Sequence, residues 1–133
     1  MPSDNPHPAA LADLIQRLTE ATGPSREIDA DIARALGCEV EIIRVPAGHP
    51  IFKDGGGLEF MKKDGNKIGI PPWTASTDVA LTLAGDRTIA VLLAALAKAA
   101  AFFSSFRDKE GHIKRALPRF ICIEALRSRD QQP

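Results

Sequence analysis

Apolar residues in the first part of the chain recur at helical spacing. Leu11, Leu14, Ile15 and Leu18 follow the i, i+3, i+4, i+7 rule, with Asp13, Gln16, Arg17 and Glu20 between them as the wet face. The pattern predicts an amphipathic helix of about three turns. Gly23-Pro24 ends it, and Ser25 is placed to cap a second helix with Glu27 and Asp29 in its first turn. Ile28, Ile32 and Leu36 form the apolar stripe of that helix, and Gly37 closes it. So short a break predicts a helical hairpin.

From Cys38 the period changes to that of strands. Val40, Ile42, Ile43 and Val45 are β-branched, Pro46 stops the run, and Ile51-Phe52-Lys53 briefly resumes it. Asp54-Gly55-Gly56-Gly57 turns the chain. Leu58–Lys62 and Lys67–Ile70 then flank Asp64-Gly65-Asn66, a hairpin signal because Gly and Asn tolerate positive φ. A small antiparallel sheet of three or four strands over about 40–70 is expected. Pro71-Pro72 ends the extended segment, since neither residue can donate to a ladder. Trp73 follows, expected to pack over the junction of strand and helix, and Ser76 with Asp78 two residues on marks the next helix start.

Nearly everything after Ser76 reads as helix. A short one runs through Val79, Ala80 and Leu83 to Gly85, and Thr88–Phe106 forms the most apolar stretch in the chain. Ile89, Leu92, Leu93, Leu96, Ala100 and Phe103 make its strong face, and Val91, Ala95 and Phe102 begin a second. Its length approaches that of a membrane span. Lys98 in mid-run, which costs about 3 kcal/mol on insertion, and the alanine-rich composition argue instead for a core position or an interface with a second copy. Arg107–His112 is expected as a solvated connector, and Leu117-Pro118 as the opening of a last helix with proline at its first position.

The fold class that follows is α+β: a small antiparallel sheet packed with an N-terminal helical hairpin and C-terminal helices. Residues 9–129 are expected as a single domain behind a polar, proline-rich N-terminal arm (1–8). The chain has 133 residues, with 17 Lys plus Arg against 17 Asp plus Glu. That balance removes the electrostatic footprint of a general nucleic-acid binder and favours self-association. Cys38 and Cys122 match no metal or redox spacing and read as small buried hydrophobes, with a cytoplasmic location implied. The histidines His7, His49 and His112 have no i, i+4 pairing, so no metal site is argued. The triple glycine lacks the lysine or helix start of phosphate-binding loops and reads as a hairpin turn. No catalytic residue, cofactor or metal is predicted.

Three stretches together resemble a known family. Leu11–Gly37, the segment Trp73-Thr74-Ala75-Ser76-Thr77-Asp78-Val79-Ala80-Leu81, and the closing Leu117–Arg127 are similar to the opening, the aromatic-Thr-x-Ser-x-Asp-x-Ala-Leu signature and the last helix of the phage ABA (α-β-α) sandwich family. The resemblance implies a two- or three-layer sandwich encoded by a phage or prophage and working in the cytoplasm of a bacterial host. It carries over no functional residues. The glycine-containing hairpin region and the alanine-rich stretch 88–106 depart from it.

The function expected from these features is that of a non-enzymatic accessory protein that binds a macromolecular partner, a host protein such as a defence nuclease. Its surface is placed at Phe52, Lys62, Lys63, Lys67 and Trp73. A second reading is a protein that sequesters a nucleotide signal, with Trp73 stacking on the base and Gly55-Gly56-Gly57 near phosphate. A third is a structural phage protein that self-assembles through 88–106.

Overall fold

In a computed structural model, which describes residues 8–48, 50 and 56–130, the chain is an α+β fold with one three-stranded antiparallel sheet. The expected arm therefore lies outside the described residues except for Pro8, which opens the first helix. Helix α1 (Pro8–Glu20) and helix α2 (Arg26–Ala35) form the predicted hairpin. The Ser25 hydroxyl accepts the Ile28 amide at 3.1 Å, and Gly37 follows α2 at φ 88°. Both termini are thus set by residues whose local chemistry satisfies the helix ends.

Strand β1 (Glu39–Val45) pairs with β2 (Gly56–Lys63), which pairs with β3 (Asn66–Gly69). The β2–β3 turn places Asp64 at φ 53° and Gly65 at φ 81°, two consecutive positive values as a two-residue hairpin requires. Val40 lies opposite Met61, and these two bring the sheet onto the core, with Met61 buried and Val40 half-buried against it. Farther along, Ile42, Ile43 and Ile68 are exposed. The predicted strand Ile51–Lys53 lies outside the described residues.

The strand end at Ile70 is clasped to α2. The Asp29 carboxylate, buried, accepts the Thr74 amide at 2.9 Å and the Arg26 guanidinium at 3.0 Å. The Thr74 hydroxyl accepts the Ser25 amide at 2.8 Å and donates to the Ser25 carbonyl at 3.1 Å. Arg26 also donates to the Ile70 carbonyl at 2.9 Å. Its Nε stands 3.0 Å from a buried Glu59 carboxylate oxygen, at ion-pair distance but off the axis of a hydrogen bond. Burial raises the Asp29 pKa above its ordinary value, partly offset by the Thr74 and Arg26 contacts.

Helix α3 (Thr77–Leu81) starts at Ser76, whose hydroxyl accepts the Val79 amide at 3.4 Å, and runs into a 3-10 turn over Thr82–Arg87. Gly85, at φ 60° and ψ −122°, kinks the chain inside that turn, ahead of α4 (Thr88–Phe102). The apolar run Thr77–Phe102 is long and apolar enough by composition to cross a membrane, but the Gly85 break divides it. The continuous 15-residue helix α4 spans about 22 Å, short of a hydrocarbon core of roughly 30 Å.

Two expectations for the C-terminal half are corrected. The inward side of α4 is its small-residue stripe, Val91, Ala95 and Ala99, all buried, while Ile89 (75% exposed), Leu93 (62%) and Leu96 face outward. Small side chains let α4 approach helix α5 (Lys109–Asp130) closely, and the Lys98 ammonium pairs with Glu124 across that contact. The helix also stops at Phe102 rather than Phe106. The second correction is the start of α5: it begins at Lys109, eight residues before the Leu117-Pro118 opening expected from the sequence, and Pro118 sits inside it. Asp108, at φ 53°, reverses the chain, and its carbonyl accepts the His112 amide at 3.1 Å. Its carboxylate lies over Gly111, where a β-carbon would come within 2.3 Å of an oxygen. Packing of α5 against α1, α3 and α4 holds the helix through the proline, whose missing N–H would otherwise break it.

The core gathers around α5. Ile121, Cys122, Ala125 and Leu126 are buried with Leu11, Leu14 and Leu18 of α1, Ile32 of α2, and Trp73.

Candidate functional site

Of the surface expected on the hairpin, Lys62 and Lys67 are exposed. Lys62 and Lys67 lie 3.5 and 2.6 Å from the carboxylates of Glu39 and Glu41 on β1, and Lys67 also caps the Phe60 ring at 5.1 Å. The Lys67 contact holds Glu41 below the usual carboxylate range. Both lysines remain exposed, each beside a β1 carboxylate, and pairs this open to solvent are weak. Phe52 and the Lys63 side chain lie outside the described residues. Trp73 is corrected outright: it is 3% exposed, with its indole N–H 3.4 Å from the Thr82 hydroxyl. It anchors the strand-to-helix junction, as its packing reading held, and can neither contact a partner nor stack on a base. Of the triple glycine, Gly56 and Gly57 belong to β2 and Gly55 lies outside the described residues.

A groove stands elsewhere. It lies between the C-terminal end of α1 with the loop behind it (Leu18–Pro24) and the facing α4–α5 junction, and encloses about 660 Å³. Phe102, Phe103, Phe120 and His112 form its aromatic wall. Phe103 stacks on the His112 ring at 5.4 Å and 11°, and meets Phe102 edge-on at 4.9 Å. Phe106 extends the cluster, 5.1 Å from Phe103 and 5.2 Å from His112. Such offset and edge contacts hold the rings rigidly without filling the groove. Leu18 and Ala21 line it from α1 and the loop behind it, Ala116 and Ile123 line it from α5, and Lys114 and Arg115 are exposed among its lining.

Arg119 lines this groove and is 9% exposed. Among the described residues it meets no carboxylate, and no hydrogen bond from its guanidinium is formed. Burial pushes its pKa below the ordinary arginine value. No nitrogen of the guanidinium is both sealed from solvent and unpartnered, so the charge costs the fold little while the groove is open, and it is available to an anion there. The guanidinium stays charged. The acid across the groove, Glu20, is exposed and receives a hydrogen bond from Gln16.

The sequence reading placed Arg119 only within a closing helix and His112 in a connector. The signals for the groove, the Phe102-Phe103 pair and the Arg119-Phe120 pair, are legible as residues but not as neighbours. Among the described lining residues there is no serine or cysteine, and the Thr19 hydroxyl donates to the Ile15 carbonyl at 2.8 Å. The nearest thiol of interest, Cys122, is pushed up to about 12 by burial and donates to the Trp73 carbonyl at 3.4 Å, so it is inert. Among the described residues no group of His, Cys, Asp and Glu is placed to hold a metal ion.

Fold and groove together define a small helix-rich α+β protein with an aromatic, cation-bearing cleft. Compared with known proteins, the chain matches no family model, no curated protein and no solved structure.

Proposed function

We propose that this is a small-ligand binding protein, without catalytic action of its own, whose ligand occupies the groove between α1 and the α4–α5 junction. One observation carries the reading: Arg119, nine-tenths buried and facing the groove, has no counter-ion among the described residues. A bound anionic group would supply one, through charge-assisted hydrogen bonds in a mainly apolar groove. The groove volume falls in the range of ordinary small-molecule sites, roughly 300–1,000 Å³. The test is a fluorescence titration with 8-anilino-1-naphthalenesulfonate, an aromatic monoanion. Saturable one-site binding is expected, and Ala75→Trp, which introduces a ring at an exposed position on the groove wall, should abolish it. Binding that does not saturate, or that is indifferent to this substitution, refutes the reading.

A second reading, closer to the macromolecular partner expected from the sequence, is favoured by the outward face of α4. Ile89, Leu93, Leu96 and Ala100 repeat at alternating spacings of four and three, and all four are exposed. The helix's only charged side chain, Lys98, is tied to Glu124. The occupant this supports is a second copy of the chain, since the spacing is that of helices packing along a shared seam and the net charge is zero. Light scattering should give a dimer that Leu93→Glu converts to monomer. A wild-type monomer at high concentration removes this reading.

A further inference from the structure

The walls of the groove also constrain what kind of anion it takes. We infer that the ligand is an amphipathic organic acid: a single anionic group set on Arg119, with an apolar chain or ring system lying along Phe102, Phe103 and Phe120. This rests on the groove being a ligand site and adds its chemical class.

Three observations carry it. The groove contains one buried cation, and the other two, Lys114 and Arg115, are exposed. Arg115 already stands 3.9 Å from the Asp108 carboxylate. One deep charge matches one anionic group, whereas a polyphosphate needs several converging donors. Next, the α1 end that borders the groove is the C-terminal one, Leu18–Glu20, with Ala21 just beyond it. Its carbonyls present the negative pole of the helix, and Glu20 adds a full negative charge at the same rim. A second or third anionic group on the ligand would meet repulsion there. The rest of the lining is mainly apolar, with three phenylalanine rings, Leu18, Ala21 and Ile123, while Thr19 and Thr22 add two hydroxyls. A body of aliphatic or aromatic carbon is the complement of such a surface, and a ribose with its hydroxyls is not.

The experiment is titration calorimetry of the full chain with three probes: decanoate, 1-decanol and ATP. Decanoate and decanol share the apolar body and differ in charge. Decanoate should bind at one site, with decanol roughly tenfold weaker or more, the difference a charge-assisted hydrogen bond makes. Arg119→Met should bring decanoate down to the decanol level with an unchanged circular dichroism spectrum, and Arg119→Lys should restore part of the difference. If Arg119→Met does not fold, the comparison of decanoate with decanol on the wild type decides alone. Equal affinity for acid and alcohol overturns the inference while leaving the groove as an apolar ligand site. Tighter binding of ATP than of decanoate overturns it in favour of a polyanion. If no probe binds and the naphthalenesulfonate titration also fails, the proposed function falls with it.

Discussion

Removal of the Asp29 carboxylate tests how the sheet is held to the helices. In Asp29→Ala the Thr74 amide loses its acceptor at 2.9 Å and Arg26 loses one at 3.0 Å, at a site that is fully buried. Hydrogen bonds to a charged group contribute about 1.5–3 kcal/mol, and a buried amide left unpaired costs about 1–3 kcal/mol. These terms overlap, and the wild type also sheds the burden of a buried charge, so a net loss of about 3 kcal/mol is expected. For a domain of this size that lowers Tm by roughly 10 °C. Asp29→Asn keeps an oxygen for the Thr74 amide and removes the charge, and should fall within about 1 kcal/mol of wild type. The two variants also differ from wild type in pH dependence. Because burial raises the Asp29 pKa, the folded state binds its proton more readily than the unfolded chain does. That contribution to stability is therefore fully present below the unfolded pKa of the carboxyl and is lost as pH rises through the higher folded value. Relative to Asp29→Asn, the wild type should lose stability through that window. Urea denaturation followed by circular dichroism at a series of pH values measures both effects. An Asp29→Ala protein within about 0.5 kcal/mol of wild type, an ordinary surface-mutant effect, would refute the clasp, as would a wild-type curve that rises relative to Asn through the window.

Other substitutions probe other parts of the fold. Arg119→Met keeps the apolar stem and removes a charge that is not sealed from solvent, so it should leave Tm within about 2 °C in ligand-free protein; a fall well beyond that would mean the guanidinium holds the fold together. Gly85→Ala should cost about 1–3 kcal/mol by urea midpoint, because φ 60° with ψ −122° is strained for any residue with a β-carbon and nothing within 4 Å of that position adds to the effect. Gly111→Ala should raise stability at the start of α5 by up to about 1 kcal/mol, since alanine is the better helix former and the exposed Asp108 carboxylate can swing clear of the new methyl; stronger amide protection in the first turns, read by hydrogen exchange, is the expected signature.

What was legible in the chain was what short-range chemistry decides. Ser25 and Ser76 cap the helices that follow them, and Asp64-Gly65 makes the hairpin turn, because each needs only residues two or three positions away. The errors fall where a distant element overrides local preference. Pro118 signals a helix start when read alone, yet three neighbouring helices carry α5 through it. In α4 the bulkiest face suggested the core, whereas close packing on α5 selected Val91, Ala95 and Ala99. Arg119 could not be recognised as a site residue because its isolation depends on which carboxylates fail to reach it. That is a property of the assembled fold, and no spacing in the sequence encodes it.

The Asp29–Thr74 clasp has a kinetic consequence as well. Its hydrogen bonds join residues 45 and 49 positions apart, whereas the α1–α2 hairpin and the β2–β3 turn close over short loops. Short loops form first because they surrender less chain entropy. The clasp is thus a late contact, made once strand end and helix have already been brought together. A contact absent from the rate-limiting step changes the rate of opening rather than of folding. In its native setting the clasp acts as a latch on unfolding: weakening it should shorten the lifetime of the folded state while the chain still reaches that state at its accustomed speed.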